Sequence, residues 1–335
     1  MPYYAQAPEL TDDYILNVWE TLPRYVRSTF ILPSTALSDQ LGCELTIASE
    51  TFQYTGSFKF RAAYNLLSSI PHRQVIAASS GNFGQAVAFA SRLLGKQCIV
   101  TMPKTSARVK VEAVRSYGGI VDLIDVQEVS RIERIDQLLA EHPGAFIAPA
   151  FDDYRVVVGN STLGKEIFEV ADFDVVVVPI GGGGLSSGLV IARDYLQAQA
   201  KIIGAEPLPG NDAARSFRGG QLLSNEQEPA TVADGARTLS LGHLNWEILR
   251  KGLADVIEVA DETTMEALRR YFLYVNLKVE PTGALALGAL LAQPGLFYGK
   301  RVCCVVSGGN VDPALYARAL LQAERIRGDR YRKPG

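Results

Sequence analysis

The chain has 335 residues, 47% of them hydrophobic and 21% charged; this excludes an intrinsically disordered polypeptide and gives enough length for two lobes with cores of their own. A formal net charge of −3 argues against nucleic acid as a partner, and the one basic stretch, "RIRGDRYRKPG" at 325–335, reads as a solvated, frayed end. No apolar run reaches the ~18 residues of a membrane span and "MPYYAQAPELTDDY" lacks a basic region followed by an apolar core, so no membrane contact and a cytoplasmic location are expected.

In chain order, the first strand-like run is "ELTIASE" (44–50), with Cys43 just before it. Next comes "YTGSFKFRAA" (54–63), where a Thr-Gly-Ser-Phe turn opens a helix at Lys59 with few charges close by. Desolvation disfavours an ammonium, so a lysine in such a setting has a lowered pKa. Its amine can then attack a carbonyl and form a Schiff base. A solvated lysine on a helix face is the ordinary alternative, and the turn alone does not exclude it. "QVIAAS" (74–79) then runs through Ser79, Ser80, Gly81 and Asn82 into a helix. Hydroxyls, an amide and backbone donors at a helix start suit a carboxylate or a phenolate-like oxygen, though Ser and Asn are also common N-caps. "QCIVTMP" (97–103), "GIVDLID" (119–125) and "GAFIAPAF" (144–151) follow; with 74–79 they make a unit of four strand-helix pairs between 71 and 150.

"DVVVVPI" (174–180) leads into Gly181, Gly182, Gly183 and Gly184, then Leu185 and a helix. Consecutive glycines turn backbone N–H groups inward and the helix start adds partial positive charge, so the loop reads as a phosphate cradle. A dinucleotide is one candidate, because "KIIGAEP" (201–207) carries Glu206 at about the ribose-contact distance. The strict G-x-G-x-x-G spacing fails, however, since Ser186 or Ser187 stands at the third glycine, and no Walker lysine follows. "DVIEVAD" (255–261) and "RVCCVVSG" (301–308) complete nine runs, the last ending at Ser307 in "VVSGGN". Strands apolar on both faces, alternating with helical patterns, predict an α/β fold with parallel sheets covered on both sides. Nine strands point to two lobes, with ligands beyond the strands' carboxyl ends. Cys43, Cys98, Cys303 and Cys304 lack zinc spacing and read as buried, reduced thiols.

The lysine of "TGSFKFRAA", then "SSGN", "GGGGLSSG" and "SGGN", in this order over nearly the whole length, resembles the fold-type II pyridoxal-phosphate enzymes, within them the serine racemase and serine/threonine dehydratase family. The resemblance implies a two-lobed, tryptophan synthase beta-like fold with the cofactor between a large domain (1–70 and 151–335) and a small mobile one (71–150). It implies that Lys59 carries pyridoxal phosphate as an imine, that Phe58 flanks the ring, and that Asn82 meets the 3′ oxygen. Gly181, Gly182, Gly183, Gly184 and Leu185 would hold the phosphate, and Ser307 the pyridine nitrogen. "GAEPLPGND" would supply a Mg²⁺ or Ca²⁺ site from Glu206, the Gly210 carbonyl and Asp212, oxygen ligands of the kind these ions take. The activity implied is elimination from a β-hydroxy amino acid such as L-serine, L-threonine or 3-hydroxyaspartate, giving a 2-oxo acid and ammonia, in a homodimer. Ser80 stands where racemases of the family carry an acid/base serine, so racemisation is a second expected activity and an N-cap the plain alternative.

Substrate contacts are expected from Ser79, Ser80, Gly81 and Asn82, with Arg131 and Thr238 as further candidates; for Arg131 an exposed helix position is the simpler reading. Phe83 and "GNSTLG" (159–164) depart from the family's usual residues near the cleft. β-Replacement, as in cysteine synthases, is the alternative activity, but the "SVKDR"-like and "GTGGT"-like motifs of those enzymes are absent.

Overall fold

The computed structural model describes residues 10–330 except Ser80 and Ala107, with side chains as far as residue 321. In chain order the strands are β1 (Phe30–Pro33), β2 (Glu44–Ser49), β3 (Gln74–Ala78), β4 (Gln97–Pro103) and β5 (Ile120–Ile124). They continue with β6 (Phe146–Ile147), β7 (Val175–Pro179), β8 (Lys201–Pro207), β9 (Leu253–Val259) and β10 (Arg301–Val306). The helices begin with α1 (Asp12–Thr21), α2 (Thr35–Leu41), α3 (Lys59–Ser68), α4 (Asn82–Leu93), α5 (Arg108–Ser116), α6 (Arg131–Glu141) and α7 (Tyr154–Val170). The remainder are α8 (Gly184–Tyr195), α9 (Asp212–Gly219), α10 (His243–Gly252), α11 (Asp261–Val275), α12 (Pro281–Ala292) and α13 (Pro313–Arg330).

The strands form two sheets, one of six in the order β1-β2-β10-β7-β8-β9 and one of four in the order β5-β4-β3-β6. Every pairing is parallel except β1 with β2. All nine expected runs are strands. The tenth, β1, is not among them: it is a half-exposed edge strand of four residues with no apolar alternation to announce it, and it pairs antiparallel, Phe30 opposite Ser49. The unit between 71 and 150 also differs in detail. It holds four strands but three helices, because the helix after β6 is α7, which begins at Tyr154 and packs on α8.

β7 shows why continuous apolar runs become central strands. Val175 and Val177 join the core under α11 and α12, while Val176 and Val178 join the core under α8 and α10, so both faces of the period-2 strand are buried. α12, "PTGALALGALLA", is apolar all round and has ten buried residues, as a helix enclosed on every side requires. Under the small sheet, Trp19, Phe60, Leu66, Val87 and Val156 share one core with Val75 and Ala77; α4 packs on the sheet, α3 on α4, and α7 on α3. All four cysteines are buried and free. Among the described residues, no helix is long and apolar enough to cross a membrane.

Candidate active site

In an open parallel sheet, a crevice forms where two neighbouring strands send their crossovers in opposite directions. In the large sheet this point lies between β10 and β7, since the chain moves outward from β7 through β8 to β9 and returns to β10 beside β7. The two loops there are the glycine loop and the loop that begins at Ser307. In the small sheet the corresponding point lies between β3 and β6, whose loops hold Ser79, Gly81 and Asn82 on one side and Ala150 and Phe151 on the other. Both points face one cleft of about 390 Å³, lined among others by Phe58, Lys59, Ser79, Gly81, Asn82, Phe83, Arg131, Gly182, Thr238 and Ser307.

Lys59 opens α3 beyond the end of β2. Its turn is stitched to the loop after β10: Ser57 bridges Gly308, the Phe58 N–H donates to Ser307 O at 3.0 Å, and the Gly309 N–H donates to Gly56 O at 2.9 Å. Gly56 has φ +73°, and a Cβ there would lie 2.5 Å from Asn310 Oδ1, so glycine is required both for conformation and for space. Lys59 Nζ donates to the Ala150 carbonyl at 3.2 Å and lies 4.9 Å from the centre of the Phe58 ring and 5.8 Å from that of Phe83. Burial pulls its pKa down from 10.5 to about 8, with Glu280 pulling the other way. Desolvation of the amine is thus present as expected, with Phe83, noted as a departure, beside it, while Glu280 is a nearby acid that the local sequence does not announce.

The glycine loop ends on Gly183 at φ +91°, a left-handed position at the N-cap of α8, which has no side-chain cap. The first N–H groups of α8 are thus left for a ligand, as in other anion-binding helix starts. Asn245 Nδ2 holds the loop by donating to the Gly182 and Phe151 carbonyls at 2.8 and 3.1 Å, and Asn160 Nδ2, from "GNSTLG", donates to Gly184 O at 3.0 Å. Leu185 follows inside α8 and is buried. Ser307 Oγ and Ser187 Oγ are buried without a protein partner, an arrangement that costs free energy unless a ligand completes it. Ser307 lines the cleft and Ser187 sits in the first turn of the uncapped helix, so both suit a ring nitrogen and a phosphate respectively.

On the small-sheet side, Gly81 is the N-cap of α4 and its N–H donates to Ser79 Oγ at 3.3 Å. Asn82 Nδ2 donates to Glu280 Oε1 at 2.7 Å. Ser80 lies outside the described residues. Arg131, the first residue of α6, lies at the cleft and pairs with Glu228 at 3.4 Å while 41% exposed; it is half-solvated as expected, yet it borders the site. Thr238 lines the cleft with its Oγ1 buried and unpartnered.

Glu206 lies near the end of β8, Gly210 in the turn that follows and Asp212 at the start of α9, and the Glu206 and Asp212 carboxyls are close enough to act on each other. The Glu206 carboxylate caps α9, accepting from the Ala213 and Ala214 N–H groups at 2.9 Å each, and at 1% exposure it has no access to a ribose. Asp212 accepts from Asn225 Nδ2 at 2.9 Å, while its Oδ2 is buried and unpartnered. Burial pushes the Glu206 carboxyl up to about 8, Asp212 adding to the effect, and pushes Asp212 up to about 7. Two buried carboxyls with one orphaned oxygen fit a hard cation.

Residues 22–308 match the family described as pyridoxal-phosphate dependent enzyme. The chain is a pyridoxal-phosphate dependent enzyme. It is 38% identical over 311 residues to L-threo-3-hydroxyaspartate ammonia-lyase of a Pseudomonas species, covering 91% of this chain and 97% of that one. It is 35% identical over 317 residues to serine racemase of Schizosaccharomyces pombe, covering 93% and 98%. Among solved structures it superposes on a T.th. threonine deaminase with a TM-score of 0.84 at 34% identity, covering 90% and 99%. This pyridoxal-phosphate enzyme thus stands with the ammonia-lyases and serine racemases. The sequence reading misses the side chains that hold its site together. Glu280, Asn245 and Asn160 lie outside its four motifs, and Asn310, though inside "SGGN", has no role in it. Only Glu280 carries a local signal, an acid just before a helix-opening proline, which reads as a helix start.

Proposed function

We propose that the protein eliminates water from a β-hydroxy amino acid and releases a 2-oxo acid and ammonia. The α-proton and the β-hydroxyl leave as water; a water molecule then enters at the α-carbon and the C–N bond breaks. The observation that carries this reading is the half-buried Lys59 side chain, its ammonium pKa lowered to about 8, in a cleft whose same wall offers the unpartnered Ser307 hydroxyl. When bound, the cofactor supplies an electron sink for charge developing at the α-carbon. Lys59 Nζ would hold the cofactor covalently and, once released, accept the α-proton. Ser307 Oγ can donate a hydrogen bond to a ring nitrogen but, unlike a carboxylate, cannot stabilise a proton there; the weaker sink favours expelling a β-substituent. Gly181 to Gly184, Leu185 and the first turn of α8 would hold the phosphate, with Phe58 beside the ring. Glu206, Gly210 O and Asp212 would hold Mg²⁺ or Ca²⁺.

Among β-hydroxy amino acids the cleft favours one with a second carboxylate, of the 3-hydroxyaspartate kind. Besides Lys59, three cationic side chains line it, Lys110, Arg131 and Arg237, beside three carboxylates, Glu228, Asp234 and Glu280; Lys110 pairs with Asp234 and Arg131 with Glu228, while Arg237 donates to the Thr231 carbonyl. One carboxylate can meet the Ser79 hydroxyl and the start of α4, and a second would meet Arg237 or compete with Glu228 for Arg131. Racemisation is left to Ser80 and is read separately in the same assay. A panel of serine, threonine and 3-hydroxyaspartate isomers, followed by ammonia release and chiral analysis of the recovered amino acid, tests the proposal. 3-Hydroxyaspartate is expected to give the highest kcat/KM, and Lys59→Ala to lower ammonia release by about 10³-fold or more. Elimination at the native rate by Lys59→Ala ends the proposal. Because the neutral fraction of the amine grows as pH rises through about 8, capture of added cofactor by cofactor-free protein should level off above that pH, whereas a solvated lysine would keep gaining past pH ~10.

A further inference from the structure

Asn82 lies in a closed set of hydrogen bonds that joins three separate parts of the chain. Its Nδ2 donates to Glu280 Oε1 at 2.7 Å, and its Oδ1 accepts from Asn310 Nδ2 at 2.9 Å. Asn310 Nδ2 also donates to Thr55 O at 2.7 Å, in the turn before Lys59, and the Asn310 N–H donates to the Glu280 carboxylate. The Glu280 N–H is fixed in turn by Gly308 O at 3.1 Å. The residues come from the start of α4, the residue before α12, and the loop after β10. Glu280 is 2% exposed, and at Gly308 a Cβ would lie 2.5 Å from its Oε1, so the carboxylate has no room to turn away.

This arrangement decides what Asn82 can offer the cleft. An amide side chain has two N–H donors and one carbonyl acceptor. Asn310 engages the acceptor and Glu280 one donor, which leaves one N–H for a ligand. A carboxylate accepts only, so while it is charged the amide cannot flip and present its carbonyl. We propose that Glu280, assisted by Asn310, is a positioning residue that presents the Asn82 amide to the cofactor as a donor and thereby governs the ionisation of the ring oxygen it meets. The inference rests on the pyridoxal-phosphate reading of the site and goes beyond it, to a residue that contacts the cofactor only through another.

The charged and titratable groups around Glu280 are Lys59 from α3, Asp234 from the segment between α9 and α10, and Lys110 from α5, which pairs with Asp234. Burial, with Asp234 adding to it, pushes the Glu280 carboxyl well above the ordinary carboxylate range, while Lys110, Asn82 and Asn310 hold it back. The same clamp accordingly carries a pH dependence. Once Glu280 takes up a proton, its oxygen becomes a possible donor and the amide loses its fixed direction.

The test uses the cofactor-loaded protein and reads the two absorbance bands of the bound cofactor, one at longer wavelength when the ring oxygen is ionised and one in the near ultraviolet when it is neutral. In Glu280→Ala the band ratio is expected to move toward the neutral form by about tenfold, the weight of one lost hydrogen bond to a charged group. Glu280→Gln, whose carbonyl can still accept from Asn82, should recover the native ratio while flattening its dependence on pH. Asn310→Ser should shift the ratio in the same direction as Glu280→Ala, and it carries the test if Glu280→Ala does not fold. Bands in a loaded Glu280→Ala or Asn310→Ser protein that overlay the native ones across pH overturn the proposal, as does a Glu280→Gln protein displaced as far as Glu280→Ala. Native protein that never takes up colour overturns the pyridoxal-phosphate assignment itself, an outcome plainly different from a coloured variant with unchanged bands.

Discussion

The two walls of the cleft are held by different forces. On the large-sheet side, Lys59, the glycine loop and Ser307 are tied by backbone bonds between the 55–58 turn and the 307–310 loop, by Asn245 and Asn160, and by a buried ion cluster two residues beyond the lysine. In that cluster Arg61, with no exposed surface, donates to both Glu50 oxygens at 2.8 and 3.0 Å, to Glu166, to Thr162 and to the Arg27 carbonyl. The small-sheet side is tied at one buried point, where Asn82 meets Glu280 and Asn310, and at its rim by two ion pairs, Arg131 with Glu228, both half-exposed, and Lys110 with Asp234, 14% and 36% exposed. The contrast separates two tasks. The large-sheet wall is held by buried bonds throughout, whereas the rim of the small-sheet wall, proposed to receive the substrate, rests on ion pairs that water and salt can loosen.

Breaking the first wall should have the largest effect. Arg61→Ala leaves the Glu50 carboxylate, 1% exposed, without its cationic partner, and removing one member of a buried pair costs about 3–5 kcal/mol. Urea unfolding is expected to show a loss of that size, accompanied by weaker cofactor retention because α3 carries both Arg61 and Lys59. A loss below ~1 kcal/mol, the range of exposed pairs, would erase the distinction between the walls.

How visible these walls are in the sequence follows from the kind of interaction in each. Strands such as "DVVVVPI" and "RVCCVVSG" announce themselves because both faces are buried, and the loops that follow them carry glycine and serine for reasons of space and charge that are local. The lysine turn is legible for the same reason. The partners of Asn82 are not, since they lie 198 and 228 residues away, and of the glutamates on Arg61 one lies 105 away while the other, Glu50, is only 11 away but carries nothing local that marks a glutamate as buried. For Arg131 the sequence suggests a surface position; its half-exposed side chain agrees, but the cleft it borders exists only once two sheets are set face to face.

An intermediate effect is expected at the far end of β8, where the large-sheet side has its own weak point. Glu206 and Asp212 are buried close together and Asp212 Oδ2 has no partner. Millimolar Mg²⁺ or Ca²⁺ should raise the melting temperature by a few degrees, as binding to the folded state alone requires, and Glu206→Gln should abolish the rise. An identical rise in Glu206→Gln would remove these residues from any cation site and leave Glu206 as a helix cap.

The smallest effect belongs to the rim and sharpens the comparison most. Arg131 and Glu228 are 41% and 50% exposed and 3.4 Å apart, so the pair contributes at most ~1 kcal/mol. A substrate carboxylate that uses Arg131 must first displace Glu228, which makes Glu228 a competitor inside the protein. Glu228→Gln weakens that competitor without altering the guanidinium, and KM for 3-hydroxyaspartate should fall by about two- to fivefold with kcat unchanged. KM for serine, which has no second carboxylate, should stay where it is. Added salt should narrow the difference between native and variant, because pairs this exposed are screened. If serine and 3-hydroxyaspartate respond alike, Arg131 does not read the second carboxylate, and the substrate wall owes its selectivity to Lys110 or Arg237 instead.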